Sequence, residues 1–220
     1  MNKKRLLGTA LAGAAAGLLG AVGDTLLFYV PGFFNDYFLV RYLPSWRIIS
    51  GTLLTISVIP FFALGYWALS RYFLQVSSRL ADLVFVGGIF GAGVGSAIHA
   101  VMGLLVRLIQ QEGLQEMDAA FLSAYAPFVV PLYALMGLFL GIGCIYLAPL
   151  IWKQKTTLPK GFWLVLPLWL HVLAPLLGLL LPALGDFFLP TISNLSHLLL
   201  FGCLSVLISR GVLPQYPENR

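Results

Sequence analysis

Residues 6–30 read LLGTALAGAAAGLLGAVGDTLLFYV, an apolar run whose one ionisable side chain is Asp24. Crossing a hydrocarbon core about 30 Å thick takes roughly 20 such residues, so this run is long enough to span. It also outlasts the roughly 7–15 apolar residues of a secretory signal, although Lys3, Lys4 and Arg5 precede it in the manner of one. Five further runs follow, approximately Arg47 to Ser70, Leu83 to Val106, Phe128 to Ile151, Phe162 to Leu181 and Thr191 to Ser209. The expected fold is all-α: a polytopic membrane bundle of six transmembrane helices forming one domain over residues 1–220.

Composition agrees. Hydrophobic residues make up 60% of the chain and charged residues 10%, with a mean hydropathy of +0.93, against about 25% charged residues in soluble domains. A water-soluble fold would have to expose far too much apolar surface. The net charge of +5 would suggest nucleic acid in a soluble domain, but here Lys and Arg stand at the ends of apolar runs, where they set topology. Ten of the 13 basic residues fall on the side of the N-terminus and three, Arg41, Arg47 and Arg107, on the other. Both termini are therefore expected in the cytoplasm, with no nucleic acid as partner. The acids lean the opposite way, with Asp36, Glu112, Glu116, Asp118 and Asp186 outside and only Asp82 and Glu218 inside.

The connections are too short to hold a soluble domain. The outer one from Pro31 to Trp46 carries Phe33, Phe34, Tyr37, Phe38, Tyr42 and Trp46, aromatics suited to anchoring helix ends at headgroup level or to covering a pocket. Cys144 and Cys203 lack metal-ligand spacing and read as packing residues. Phosphate loops, nucleotide fingerprints, His-Glu-x-x-His helices and Gly-x-Ser-x-Gly elbows are absent from the sequence, which leaves no motif-borne chemistry.

Ionisable groups inside a span are costly and normally face a bundle interior, so each is a candidate functional position. They are Asp24, His99, His171 and His197, with Ser193, Asn194 and Ser196 beside the last. At 1.5 Å of rise per residue, Asp24, His99 and Asn194 lie roughly 7–9 Å outside the midplane, His197 about 3 Å outside it and His171 near the centre. Such levels predict a polar pocket opening toward the outer leaflet. Asp24 and His99 are its expected acid–base pair, and Asn194, His197, His171 and Arg107 its expected ligand contacts, although Arg107, eight residues after His99 on the same face, also reads as a side chain reaching to the outer headgroups. His171, between Pro167 and Pro175, also suits a hydrogen bond to a backbone carbonyl freed by proline. Asp24, His99 and His197 together would suit a metal ion, and His99 with His197 could face each other across a haem. The prolines Pro127, Pro131, Pro149, Pro182 and Pro190 read as helix-end punctuation.

Gly13, Gly17, Gly20 and Asp24 share one helical face, and Gly88, Ala92, Gly95 and His99 repeat the same spacing. Small residues at these intervals let helices approach closely in lipid, within one chain or between copies. Each ionisable group thus ends a close-packing stripe, which predicts contact between Asp24 and His99.

The segment Gly23-Asp24-Thr25-Leu26-Leu27-Phe28-Tyr29 resembles the first-helix motif of a family of small bacterial six-helix membrane proteins of unknown function. The resemblance extends to His99 and Asn194; it implies a bacterial inner membrane and transfers no mechanism. Three functions are compatible with these features. The first is a pocket for a membrane lipid or small amphipathic molecule, with His99 oriented by Asp24 as a general base if the site is catalytic. The second is a proton-coupled transporter, and the third a structural or regulatory subunit.

Overall fold

The computed structural model describes residues 2–32, 36–112 and 119–214. Phe33, Phe34, Glu116, Asp118, Glu218 and Arg220 lie outside them, as does the side chain of Tyr37. The described chain is helical throughout, without strands: α1 (Lys3–Phe28), α2 (Ser45–Val58), α3 (Phe62–Ser70), α4 (Ser78–Glu112), α5 (Ala119–Trp152), α6 (Pro167–Leu180) and α7 (Pro182–Ser209). Pro60 lacks the N–H that would continue the ladder, and a 3₁₀ turn at Ile59–Phe61 joins α2 to α3 in its place. Among the described residues five stretches are long and apolar enough to cross a membrane: Lys3–Phe28, Ser45–Phe73, Ser78–Glu112, Ser123–Trp152 and Pro182–Ser209.

The expected fifth run is divided. Residues Lys160–Val165 form a 3₁₀ helix, Leu166 is extended, and α6 begins only at Pro167. Proline disfavours a helical residue before it, and this accounts for the break. The expectation that Pro127, Pro131, Pro149, Pro182 and Pro190 mark helix ends holds for Pro182, the first residue of α7, and is corrected for the other four. Pro127, Pro131 and Pro149 lie inside α5, and Pro190 lies inside α7, which starts nine residues earlier than Thr191 at Pro182. In an apolar bundle, neighbouring groups can satisfy the carbonyls such prolines free, so the helix continues through them.

Helix α1 is the centre of the bundle and packs against α7, α2 and α3. Its glycines explain how closely. A Cβ built on Gly13 would stand 2.8 Å from the Cα of Gly65, one on Gly17 would stand 2.5 Å from the backbone nitrogen of Leu198, and one on Gly51 of α2 would stand 2.6 Å from the carbonyl of Gly23. In lipid, where burial of apolar groups drives no association, such backbone approach is itself the packing force. Charged side chains close the ends: Arg47 Nη2 donates to the carbonyls of Thr25 and Tyr29 at 2.8 and 2.9 Å, and Lys3 Nζ donates to that of Ser209 at 3.0 Å. Both place a cation at a helix C-terminus, the favoured end.

Two apolar cores result. One, toward the start of α1, gathers Leu6, Leu69, Phe73, Phe201 and Ile208; the other, at the opposite end, gathers Leu27, Ile48, Leu105 and Ile109 with Phe38 and Val40 from the connection. That connection forms a 3₁₀ helix, Tyr37–Tyr42, against α4. Helix α5 joins the first core only through its C-terminal part, where Cys144, Leu147 and Ile151 are buried. It packs along α4 and on the Lys160–Val165 segment, and only lightly on α6.

Gly17→Ala and Gly93→Ala make the same chemical change in opposite surroundings, since nothing stands within 4 Å of a Cβ at Gly93. Overpacking costs about 1–3 kcal/mol, whereas Gly to Ala in an open helix position gains about 0.5–1 kcal/mol. Thermal unfolding in detergent is therefore expected to show Gly17→Ala destabilised and Gly93→Ala at or slightly above the wild type.

Candidate functional site

Asp24 is wholly buried, with 0% exposure. A carboxyl out of water is tolerated only with partners, and two other helices supply them. Asn194 Nδ2 of α7 donates to Asp24 Oδ2 at 2.6 Å, while His99 Nδ1 of α4 stands 3.2 Å from Asp24 Oδ1, within ion-pair distance but out of line for a hydrogen bond. The glycine stripe makes this possible locally. A Cβ at Gly20, one turn before Asp24, would overlap the Asn194 amide, so the missing side chain is the space in which the amide sits. With Nδ1 turned to the carboxyl, Nε2 is the ring nitrogen of His99 left for other partners.

His197 belongs to a different cluster. A backbone carbonyl can only accept, so the 2.7 Å contact between His197 Nδ1 and the carbonyl of Ser193 puts the proton on Nδ1. Tyr66 of α3 then donates its hydroxyl to Nε2 at 2.9 Å. Phe62 stacks on the ring at 4.3 Å. His171 Nδ1 likewise donates to the carbonyl of Pro167, at 2.8 Å, and its Nε2 is buried without a protein partner. Both backbone bonds run to the carbonyl four residues earlier, where a histidine on a helix can reach.

These groups face one cavity of about 1020 Å³, lying between α4 and α5 on one side and α6 and α7 on the other. That volume is at the upper end of the roughly 300–1,000 Å³ usual for small-molecule sites. His99, Asn194 and Tyr133 line it toward the end where α1 finishes, with Phe28, Met102 and Leu189. Tyr66, His171 and His197 line its middle; from there to Leu69, Leu80, Leu147 and Leu166 the walls are mainly apolar, with Cys144 and Tyr146 among them. Asp24 is not in the lining. It stands behind His99 and Asn194 and holds both, which makes it a positioning residue.

The sequence-derived residues thus divide. Asp24, His99 and Asn194 are brought together; His171 and His197 share the cavity but not that cluster. Arg107 lies apart, bonded to Ser45 at 2.6 Å and to Gln110, and does not line the cavity. The metal alternative of Asp24, His99 and His197 is not assembled: among the described residues no three His, Cys, Asp or Glu side chains could hold an ion. Both nitrogens of His197 are engaged, which also leaves none for a haem iron. None of the described residues of the Tyr37–Tyr42 helix lines the cavity. Sequence reasoning passed over Tyr66 and Tyr133. A tyrosine in mid-span was the available signal, because its buried hydroxyl needs a partner.

The chain belongs to a family of unknown function, DUF6796, whose family description matches residues 1–211. No curated protein and no solved structure matches it.

Removing the Asn194 amide strands a buried carboxyl oxygen, whereas removing both leaves neither member of this pair unpaired and only His99 without its carboxyl neighbour, and the cost of stranding one partner exceeds the worth of the bond itself. Intramembrane hydrogen bonds average about 0.6 kcal/mol in double-mutant cycles, with a maximum near 1.7. Asn194→Leu alone is expected to destabilise more than the Asp24→Leu/Asn194→Leu double variant, with a coupling of about 1 kcal/mol or more in detergent unfolding. Additive losses would show that the two side chains are not partners.

Proposed function

We propose that this protein binds a membrane lipid or similar amphipathic molecule, whose polar end meets His99 and Asn194. The observation that carries this reading is the grading of the cavity: His99, Asn194 and Tyr133 gather at one end, braced by the buried Asp24, while Tyr66, His171 and His197 stand at mid-depth and the far end is lined mainly by leucines and glycines. A lipid runs from polar to apolar in the same way. Tyr133 adds a hydroxyl at the polar end, and Nε2 of His99 is placed to accept from, or deprotonate, a bound headgroup.

The orientation that fits is six crossings of a bacterial cytoplasmic membrane with both termini in the cytoplasm. Helix α6 is about 21 Å long and the Lys160–Val165 3₁₀ helix adds about 12 Å, so together they can complete the sixth crossing. In that frame the polar end of the cavity faces the outer leaflet. The opposite end is lined by Leu69, Leu80, Leu147 and Leu166, an apolar surface that favours binding over an alternating-access path for a polar solute.

Lipids extracted from the purified protein and quantified by mass spectrometry test this. The wild type is expected to carry a stoichiometric amphiphile, and His99→Ala and Asn194→Leu to lose about tenfold in occupancy, the effect of one polar contact worth about 1.4 kcal/mol. A wild type that carries no more lipid than its detergent belt does, or variants with undiminished occupancy, would contradict the reading.

A further inference from the structure

The cavity owes its apolar arm to side chains that are missing. Gly87 and Gly91 on α4 and Gly143 on α5 all line it, and nothing stands within 4 Å of a Cβ at any of them. Gly88, beside Gly87, is different: a Cβ there would run into the ring of Tyr66, so that glycine serves helix packing. The floor of the arm is therefore a surface from which bulk is absent without any packing need for its absence.

The arm lies in the apolar stretches of α4 and α5, at the depth where a membrane offers hydrocarbon chains. Measured along α4, Gly91 and Gly87 stand roughly 12 and 18 Å from His99, which places the arm below the polar end as an acyl chain lies below its headgroup. Moving a chain from bilayer to arm gains little, because lipid tails are as apolar as the walls. Affinity must come from the polar end. What the arm can supply is exclusion, by rejecting tails that do not fit.

Resting on the lipid-binding reading, we infer that Gly87, Gly91 and Gly143 determine which hydrocarbon tail the protein accepts: a long chain lies over these glycines, and side chains added there shorten the chain that fits. Their partner is thus the tail of a long-chain lipid, and they act on selectivity without touching the headgroup contacts at His99 and Asn194.

The test uses the full-length protein in vesicles of phosphatidylethanolamine and phosphatidylglycerol, each supplied as equal parts short-chain and long-chain species. Bound lipid is extracted after purification and its short-to-long ratio measured for wild type, Gly91→Leu, Gly87→Leu and Gly143→Leu. Gly93→Leu and Gly137→Leu serve as controls, because both have open space and lie outside the cavity. The ratio is expected to rise about tenfold or more in the three cavity variants, the discrimination that one or a few methylenes of misfit provide, with total occupancy kept and both controls unchanged. An unchanged ratio in folded cavity variants, or an equal rise in the controls, overturns this inference. Three substitution sites on two helices guard against one variant failing to fold. Should His99→Ala abolish lipid while the glycine variants leave the ratio unmoved, the chain-selection inference falls and the lipid-binding reading stands; a wild type without bound lipid removes both.

Discussion

A carboxyl group held away from water in the middle of a helix bundle is the constraint around which this protein is arranged. Asp24 cannot be left unpaired in a medium of low dielectric, and its two neighbours come from α7 and α4. Three helices distant in sequence are thereby fixed at one level. The pairing depends on the close approach of α1 and α7: Gly17 meets the α7 backbone, Gly13 makes room for the ring of Phe201, and Gly20 makes room for the Asn194 amide. Small residues and a buried acid are thus one device: the first supply the proximity, the second the register.

The arrangement also decides what faces the cavity. Because Asp24 stands behind the wall, its charge or proton acts on a ligand only through His99 and Asn194. His99 is turned so that Nε2 is the nitrogen left over, while His197, satisfied by Tyr66 and Ser193, presents a ring whose polar atoms are already spoken for. The two histidines are a few ångströms apart in depth by sequence count and quite unlike in chemistry. Helix α5, which packs on α4 and on the Lys160–Val165 segment but only lightly on α6, closes the far side of the cavity; in the proposed function, its thin contact with α6 is the lateral way in and out for a lipid.

Much of this was legible in the chain. Apolar run lengths announce a helical membrane bundle, and the four-three-four spacing of glycines before Asp24 and of small residues before His99 announces their meeting. The level of Asn194 followed from helix rise alone. What was hidden depends on partners rather than on the residue itself. His197 reads in sequence like a neighbour of Asn194, yet Nδ1 bonds its own helix backbone and Nε2 bonds a tyrosine 131 positions away. Arg107 shares a helical face with His99 but is drawn toward Ser45 and Gln110 at the helix end. Prolines mislead because the usual helix-breaking rule assumes that water or a new turn takes up the freed carbonyl, and inside a bundle the helix simply continues. The polar end of the cavity was anticipated from the levels that helix rise gives, but its apolar arm was not, because it is floored by glycines whose surroundings are empty, and emptiness has no sequence signature distinct from close packing.

The most direct measurement is the nitrogen-15 spectrum of the histidine side chains in lipid bilayers, compared between wild type and Asp24→Asn. The account predicts that the His99 ring resonances move when its carboxyl neighbour becomes an amide, while those of His197, bonded to Tyr66 and Ser193, stay in place. A His99 ring indifferent to the change at Asp24, or a response confined to His197, would contradict it.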